Sequence, residues 1–167
     1  VLGEALEALE RAGLKAPDDL PVQLRYAQLL SAAGRHADAE AVLRALDSTK
    51  LPPLRLYLEL GLLRMREGRS EDARRFFAQA VSEGPQSAVA HYHLGVAHFQ
   101  LGDLDAAEEE LRTANRLDVS NPKPLAALCA MQVKAGRLES ARVTKMDVER
   151  PFQDRAELIR DACRTDR

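Results

Sequence analysis

Residues 54–87, LRLYLELGLLRMREGRSEDARRFFAQAVSEGPQS, hold one full copy of a pattern that recurs along the chain. Glycines recur every 34 residues and alanines keep the same step, as Gly34, Gly68, Gly102 and Gly136, and as Ala5, Ala39, Ala73, Ala107 and Ala141. Two ladders of large residues share the period: Tyr26, Leu60, Leu94 and Leu128, each followed by a small residue, and Leu9, Leu43, Phe77 and Leu111. A fixed period of this length indicates a repeat protein.

Each ladder has a physical reason. The glycines lie between two helical patterns, where a residue with positive φ ends a helix without steric cost. The alanines lie in the second helix of each pair, where a larger side chain would push the two helices apart. The small residues Ala27, Gly61, Gly95 and Cys129 let backbones approach in the first helix. Pro17 and Pro85 are expected to end second helices, because proline disfavours helical geometry in the preceding residue.

These spacings resemble the tetratricopeptide repeat (TPR) family. Residues 54–87 match that family's pattern through Tyr57, Leu60, Gly61, Ala73, Phe77, Ala80 and Pro85. The next copy matches through His91, Leu94, Gly95, His98, Ala107, Leu111 and Ala114, with Val119 in place of proline. The resemblance implies an all-α fold. It would be an α-solenoid of antiparallel helix pairs, wound as a right-handed superhelix, with a C-terminal capping helix.

The period divides the chain into one array. Residues 1–19 form the second half of an upstream repeat, and 20–53, 54–87 and 88–121 are full repeats. Residues 122–150 form a degenerate fourth repeat, in which Lys145 and Val148 replace the expected Phe and Ala. Residues 151–167 are expected to form the capping helix, with a helical stripe of Phe152, Ala156, Ile159 and Cys163. Because the array begins with half a repeat, we expect a fragment of a longer protein that lacks its natural N-terminus.

Composition narrows the function. The net charge of −2 and pI of about 6.1 argue against a general nucleic-acid binder. No apolar run approaches the roughly 18 residues that insertion across a membrane needs. Cys129 and Cys163 are too few and too unpatterned for a disulfide scaffold or a zinc site. A cytoplasmic and a periplasmic location both stay open.

The resemblance implies a concave groove lined by the first helices of successive repeats. Its partner-binding residues would be Leu24, Gln28, Arg55, Leu58, Leu62, Met65, Arg66, Tyr92, Val96, Phe99, Gln100 and Lys123, with Ser31 beside them. Leu58, Leu62 and Met65 share one helical face through their i, i+4, i+7 spacing. This apolar stripe is either buried by neighbouring repeats or exposed to receive a partner peptide or amphipathic helix.

Two known TPR binding modes lack their residues here. The carboxylate clamp needs Lys and Asn at Leu24 and Gln28, Asn at Glu59, and basic residues at Val89 and His93. The asparagine ladder needs groove asparagines, whereas the chain has only Asn115 and Asn121. The expected ligand is therefore a hydrophobic segment, with Arg55, Arg66 and Lys123 facing acidic residues beside its anchors.

Other polar clusters have simpler explanations than chemistry. His91 and His98 occupy the family's bulky aromatic positions, so we predict packing rather than metal binding. The acidic run of Asp103, Asp105 and Glu108 to Glu110 predicts a solvated convex face, or a docking patch for a basic partner. Cys129 lies at the small-residue position and predicts a buried packing role. No catalytic residue, cofactor or metal is predicted.

The sequence therefore predicts a non-catalytic scaffold that binds another protein. Its richness in Arg and Ala hints at a bacterial source, with a role in envelope assembly, secretion or chaperone work. A rival interpretation is the recruiting arm of a transferase or peptidase whose catalytic domain lies outside this chain. A third is self-assembly into a homo-oligomer.

Overall fold

The computed structural model describes residues 2–15, 19–46, 51–149 and 163, and the regular structure in these ranges is helical. The helices are α1 Leu2–Lys15, α2 Leu20–Ala32, α3 His36–Ala45, α4 Pro53–Arg66, α5 Ser70–Glu83, α6 Ala88–Leu101, α7 Leu104–Leu117, α8 Lys123–Lys134 and α9 Leu138–Glu149. The predicted all-α class is confirmed. The capping helix predicted over 151–167 lies outside the described residues, apart from Cys163.

The helices group into two compact units. The N-terminal unit, Val1–Glu83, contains α1 to α5, and the C-terminal unit, Gly84–Arg167, contains α6 to α9. Within the units the consecutive helices α2 and α3, α4 and α5, α6 and α7, and α8 and α9 pack against each other. First helices also meet directly, α2 with α4 and α6 with α8. Among the described residues, no helix is long and apolar enough to cross a membrane.

The repeated glycines end the first helix of each pair, as predicted. Gly34, Gly68, Gly102 and Gly136 all have positive φ, between 72° and 84°. Gly102 shows the mechanism: it caps α6 in the left-handed conformation, and its N–H donates to the Phe99 carbonyl. α5 ends at Glu83, two residues before Pro85, while Pro17 lies outside the described residues.

The alanine ladder lies in the interior at four of its five positions. Ala39, Ala73, Ala107 and Ala141 are at most 1% exposed. The prediction is wrong for Ala5, whose side chain is exposed on α1. α1 packs against α2, and this contact leaves Ala5 facing solvent.

The small residue of the first helix faces a large residue of the second. A Cβ placed on Gly61 would lie 2.4 Å from Cε1 of Phe77, and one on Gly95 would lie 2.9 Å from Cγ of Leu111. In the preceding repeat Ala27 and Leu43 belong to one buried cluster. The small residue therefore admits mainly a side chain, and the two residues are matched in place: Gly61 with Phe77, Gly95 with Leu111 and Ala27 with Leu43.

This matching predicts that Gly61→Ala destabilises the protein by about 1–2 kcal/mol. Overpacking a core costs about 1–3 kcal/mol, from which alanine's better helix propensity recovers at most about 1. Adding Phe77→Leu recreates the Ala27/Leu43 combination. The double variant should then be more stable than the sum of the two single changes in urea denaturation. Strict additivity of the single effects would contradict the matching.

A buried ion pair joins successive repeats in the N-terminal unit. Arg64 on α4 is 8% exposed, and its Nη2 lies 2.5 Å from the Glu40 carboxylate on α3. Its Nη1 donates to Glu67 at 3.0 Å. The hydrogen bond from Arg64 lowers the pKa of the Glu40 carboxyl below its ordinary value. Arg64 occupies the repeat position of Leu30, so a charge here replaces an apolar contact.

We predict that Arg64→Met lowers the free energy of unfolding by about 2 kcal/mol. The carboxylates of Glu40 and Glu67 then lose an ion-pair partner that is buried away from water. Arg44→Met is the matched control. Arg44 also pairs with Glu40, at 2.7 Å, but is 55% exposed, so its loss should cost under about 0.5 kcal/mol. Equal costs for both variants in urea denaturation would show that the burial of Arg64 is irrelevant.

Candidate protein-binding groove

In the N-terminal unit, the predicted groove residues lie on α2 and α4, which contact each other. Leu24 packs against the cluster of Ala27, Leu43 and Leu60, and Leu58 is only 6% exposed. Leu62 and Met65 are half-buried and stay accessible, and Arg55 and Arg66 are exposed. Leu24 and Leu58 therefore serve mainly packing, whereas Leu62 and Met65 offer apolar surface between two guanidinium groups.

In the C-terminal unit, the predicted groove residues lie on α6 and α8. Tyr92 and Phe99 pack against the core cluster that contains Leu111, Leu125 and Leu128. Lys134 Nζ lies 5.6 Å from the centroid of the Phe99 ring, within cation–π range. Val96 is half-buried, and Gln100 and Lys123 are exposed. Part of the apolar stripe is therefore packed in the core, and part of it stays accessible.

A polar group lies in the groove of the N-terminal unit. The Glu59 carboxylate is 6% exposed and accepts from Arg55 Nη2 at 2.7 Å. Gln28 Nε2 lies 3.4 Å from both Glu59 oxygens. In the sequence, Glu59 stood out only as a mismatch to the carboxylate clamp. The i, i+4 spacing of Arg55 and Glu59 was the available signal for their ion pair.

A small recess opens beside this group, between α2, α3 and α4. It has a volume of about 10 Å³ and is lined by Ala27, Gln28, Ser31, Ala39, Leu43, Glu59, Leu63 and Arg66. Ser31 is 4% exposed, and its Oγ has no hydrogen-bond partner in the described structure. Ser31 and Glu59 thus place two buried polar groups at the recess, which Gln28 and Arg66 also line.

The histidines of α6 serve helix contacts. His91 is 9% exposed; its Nδ1 lies 2.6 Å from the Glu110 carboxylate and its Nε2 lies 3.0 Å from the Pro85 carbonyl oxygen. A carbonyl only accepts, so Nε2 donates there. His98 Nδ1 lies 3.1 Å from Asp103. Within the described ranges no group of three His, Cys, Asp or Glu residues could hold a metal ion.

The acidic run on α7 is largely engaged within the C-terminal unit. Arg137 Nη2 donates to Asp105 at 2.9 Å, and its Nη1 lies 3.3 Å from Glu108. Arg112 also pairs with Glu108, at 2.8 Å. Asp103 and Glu110 face histidines, so the run makes contacts within the unit, while Asp103, Asp105 and Glu109 stay exposed.

The two cysteines are bonded to each other, although they were expected to be too few and too unpatterned for a disulfide scaffold. Cys129 and Cys163 form a disulfide with a Cα–Cα distance of 5.3 Å, and both are fully buried. Their separation, 34 residues, equals the repeat period, which puts them at equivalent positions of successive repeats. That coincidence was the missed signal. Cys129 also has the buried position predicted for it, in the core cluster of the C-terminal unit.

His93 has the most perturbed environment in the groove of the C-terminal unit. Burial, and then the nearby charge of Lys123, lower the pKa of His93 to about 4. The His93 ring also meets the Tyr92 ring edge-on, with centroids 5.0 Å apart. A protonated His93 is therefore disfavoured in the folded state.

We predict an acid-dependent loss of stability that depends on His93. The unfolded chain takes up this proton near pH 6.5 and the folded chain only near pH 4. The free energy of unfolding should therefore fall by about 3 kcal/mol as the pH drops through this interval. His93→Gln should remove that part of the loss in denaturant titrations at pH 7, 6, 5 and 4. Parallel curves for the two proteins, or an NMR titration of His93 near pH 6.5, would contradict it.

Comparisons with known proteins identify a family and relatives to which this chain is similar. A family model described as Cilia and flagella-associated protein 70 C-terminal domain matches residues 1–150. Cilia- and flagella-associated protein 70 of Homo sapiens is 30% identical over 130 residues, 74% of this chain and 11% of that protein. Its Macaca fascicularis counterpart is 33% identical over 102 residues, 60% of this chain and 10% of that protein. The chain thus spans about a tenth of these curated relatives, and their eukaryotic sources do not support the bacterial origin that we expected.

Solved TPR structures share the fold. A thermophilic TPR protein of Thermus thermophilus has a TM-score of 0.78 and 22% identity, covering 98% of this chain and 90% of that one. MamA of Desulfovibrio magneticus has a TM-score of 0.72 and 20% identity, covering 92% and 86%. YrrB, described as a TPR protein with an unusual peptide-binding site, has a TM-score of 0.64 and 21% identity, covering 94% and 81%. These likenesses confirm the predicted TPR solenoid.

Proposed function

We propose that this chain, which belongs to the family of the Cilia and flagella-associated protein 70 C-terminal domain, holds an apolar segment of another protein in its groove. TPR domains generally bind other proteins or peptides and are generally not catalytic. The finer proposal here concerns the partner's chemistry. The observation that carries it is the accessible apolar face of Leu62 and Met65 between the exposed cations Arg55 and Arg66.

This face is distinct from the packing surface of the same helix. Leu60 and Leu63 on α4 are at most 2% exposed and fill the core, whereas Leu62 and Met65 keep part of their surface in solvent. Covering apolar surface is favourable by about 25 cal/mol per Å², so a segment that covers these side chains gains affinity. Methionine adapts its shape to such a contact.

The charges beside this face favour an acidic flank on the partner segment. Arg55 is 50% exposed although it pairs with Glu59, and Arg66 is exposed with no ion pair to another described residue. The groups Arg55, Glu59 and Arg66 together carry a charge of about +1. In the C-terminal unit, Lys123 on α8 is exposed and Val96 on α6 is half-buried. We infer a segment with apolar anchors and neighbouring Asp or Glu residues.

The relatives suggest where that partner occurs. Both curated relatives carry an association with cilia and flagella in their names, and YrrB, which shares the fold, is described as having a peptide-binding site. We therefore propose a partner among proteins of the cilium or flagellum.

Peptides selected on the whole chain from a displayed 16-residue random library test the groove. Leu62→Asp should weaken the best selected peptide at least about 10-fold, because a charge replaces a buried apolar contact. Ala78→Asp, on the exposed surface of α5 in the same unit, should leave its affinity unchanged. Binding is measured by fluorescence polarisation, and circular dichroism checks that both variants remain helical.

Two results would contradict the proposal. One is a selection that yields no peptide above background. The other is an affinity that Leu62→Asp and Ala78→Asp reduce equally, which would place the binding surface elsewhere.

A further inference from the structure

The recess between α2, α3 and α4 has polar residues where the repeat elsewhere has apolar ones. Ser31 occupies the repeat position of Met65, Phe99 and Val133. Gln28 occupies the position of Leu62, Val96 and Ala130. The helix pair packs without polar groups at these positions in the other repeats. Ser31 and Gln28 are therefore not a requirement of the fold.

In the free protein, burial of the Ser31 hydroxyl costs free energy that no hydrogen bond offsets. Its side chain is 4% exposed, and its Oγ has no hydrogen-bond partner in the described structure. A buried hydroxyl without a partner costs free energy, whereas alanine at the same place would not. Such a group has a use when a ligand completes its hydrogen bond.

The charges at the recess select a neutral ligand. Inside the recess the buried Glu59 carboxylate repels a carboxylate, and the Arg66 guanidinium, which also lines it, repels an ammonium group. The exposed surfaces of Arg55 and Arg66 face acidic residues of the segment outside the recess. The lining offers acceptors from Glu59 and Gln28, a donor from Arg66, and the Ser31 hydroxyl, which does both. A neutral group that both donates and accepts fits this set.

The size of the recess narrows the choice further. A volume of about 10 Å³ holds one atom the size of a water oxygen. A hydroxyl oxygen meets this limit, whereas an amide or a carboxyl group adds a second polar atom. The surrounding Ala27, Ala39, Leu43 and Leu63 accept the carbon that carries the hydroxyl.

We infer that this recess binds the hydroxyl group of a serine or threonine side chain in the segment that occupies the groove. The inference rests on the proposed function, because the hydroxyl arrives as part of the bound segment. Ser31, Gln28 and Glu59 form hydrogen bonds with the hydroxyl, while Leu62 and Met65 contact the apolar residues beside it. The recess thus supplies sequence specificity, and the apolar face supplies affinity.

A positional-scanning array of nonapeptides tests this, with one position fixed as each amino acid in turn and the others mixed. The probe is the whole chain. At one position, fixed Ser or Thr should bind about 3- to 10-fold more strongly than fixed Ala, the worth of one hydrogen bond. Ser31→Ala should reduce that preference to within about 2-fold and leave the apolar preferences intact. Gln28→Leu, which restores the residue type of the next repeat, should act in the same way.

Ser82→Ala, an exposed serine on α5 of the same unit, is the matched control and should keep the preference. Thermal melting checks folding, and Ser31→Ala should melt no lower than the parent because its hydroxyl has no partner to lose. A preference for Ser or Thr that survives both recess variants overturns the inference. So does peptide binding without such a preference, or a preference for charged residues that Ser31→Ala removes. An array that binds no peptide contradicts the proposed function itself, so the two failures are distinguishable.

Discussion

The close contact between the two helices of a repeat is the constraint on which the rest of this structure depends. Where Gly61 meets the Phe77 ring, even a methyl group would need the ring to move. Interiors pack to near-crystalline density, so the small and large residues must be chosen together. Because this contact uses one face of each helix, the remaining faces are free for contacts between repeats and for ligands.

Contacts between repeats are made in part by charges. Arg64 reaches back to Glu40, and Arg137 reaches Asp105 and Glu108 on the preceding helix pair. A buried pair such as Arg64 and Glu40 adds little net stability but penalises arrangements that leave a charge alone, whereas the exposed pair of Arg137 and Asp105 contributes little. The Cys129–Cys163 disulfide adds a covalent link within the C-terminal unit. Closing a loop of that length restricts the unfolded chain by about 3–4 kcal/mol in the chain-entropy account.

The period predicted the helix pairs and their turns, because Ala73 and Leu60 fill the contact between helices and Gly68 adopts positive φ at the turn. Only a few residue types can occupy each of these positions. It failed where a residue's environment depends on which neighbours are present, as at exposed Ala5. The acidic run on α7 shows the same limit: its sequence indicates a charged face, but partners such as Arg137 lie about 30 residues away. All apolar groove positions were predicted to line the groove. In the structure Leu24 and Phe99 pack against the core, whereas Leu62 stays accessible. Whether such a residue is buried or accessible depends on which neighbours pack on each face of its helix.

The groove is the face on which the repeats differ from one another. At one groove position the chain has Gln28, Leu62, Val96 and Ala130, and at the next it has Ser31, Met65, Phe99 and Val133. The packing positions beside them hardly change, as Leu60, Leu94 and Leu128 show. Variation that packing does not require is the expected mark of a surface that meets a ligand, because each repeat then contacts a different part of it. On the proposed function, polar Gln28 and Ser31 in one repeat and apolar Leu62 and Met65 in the next would contact different parts of one extended ligand.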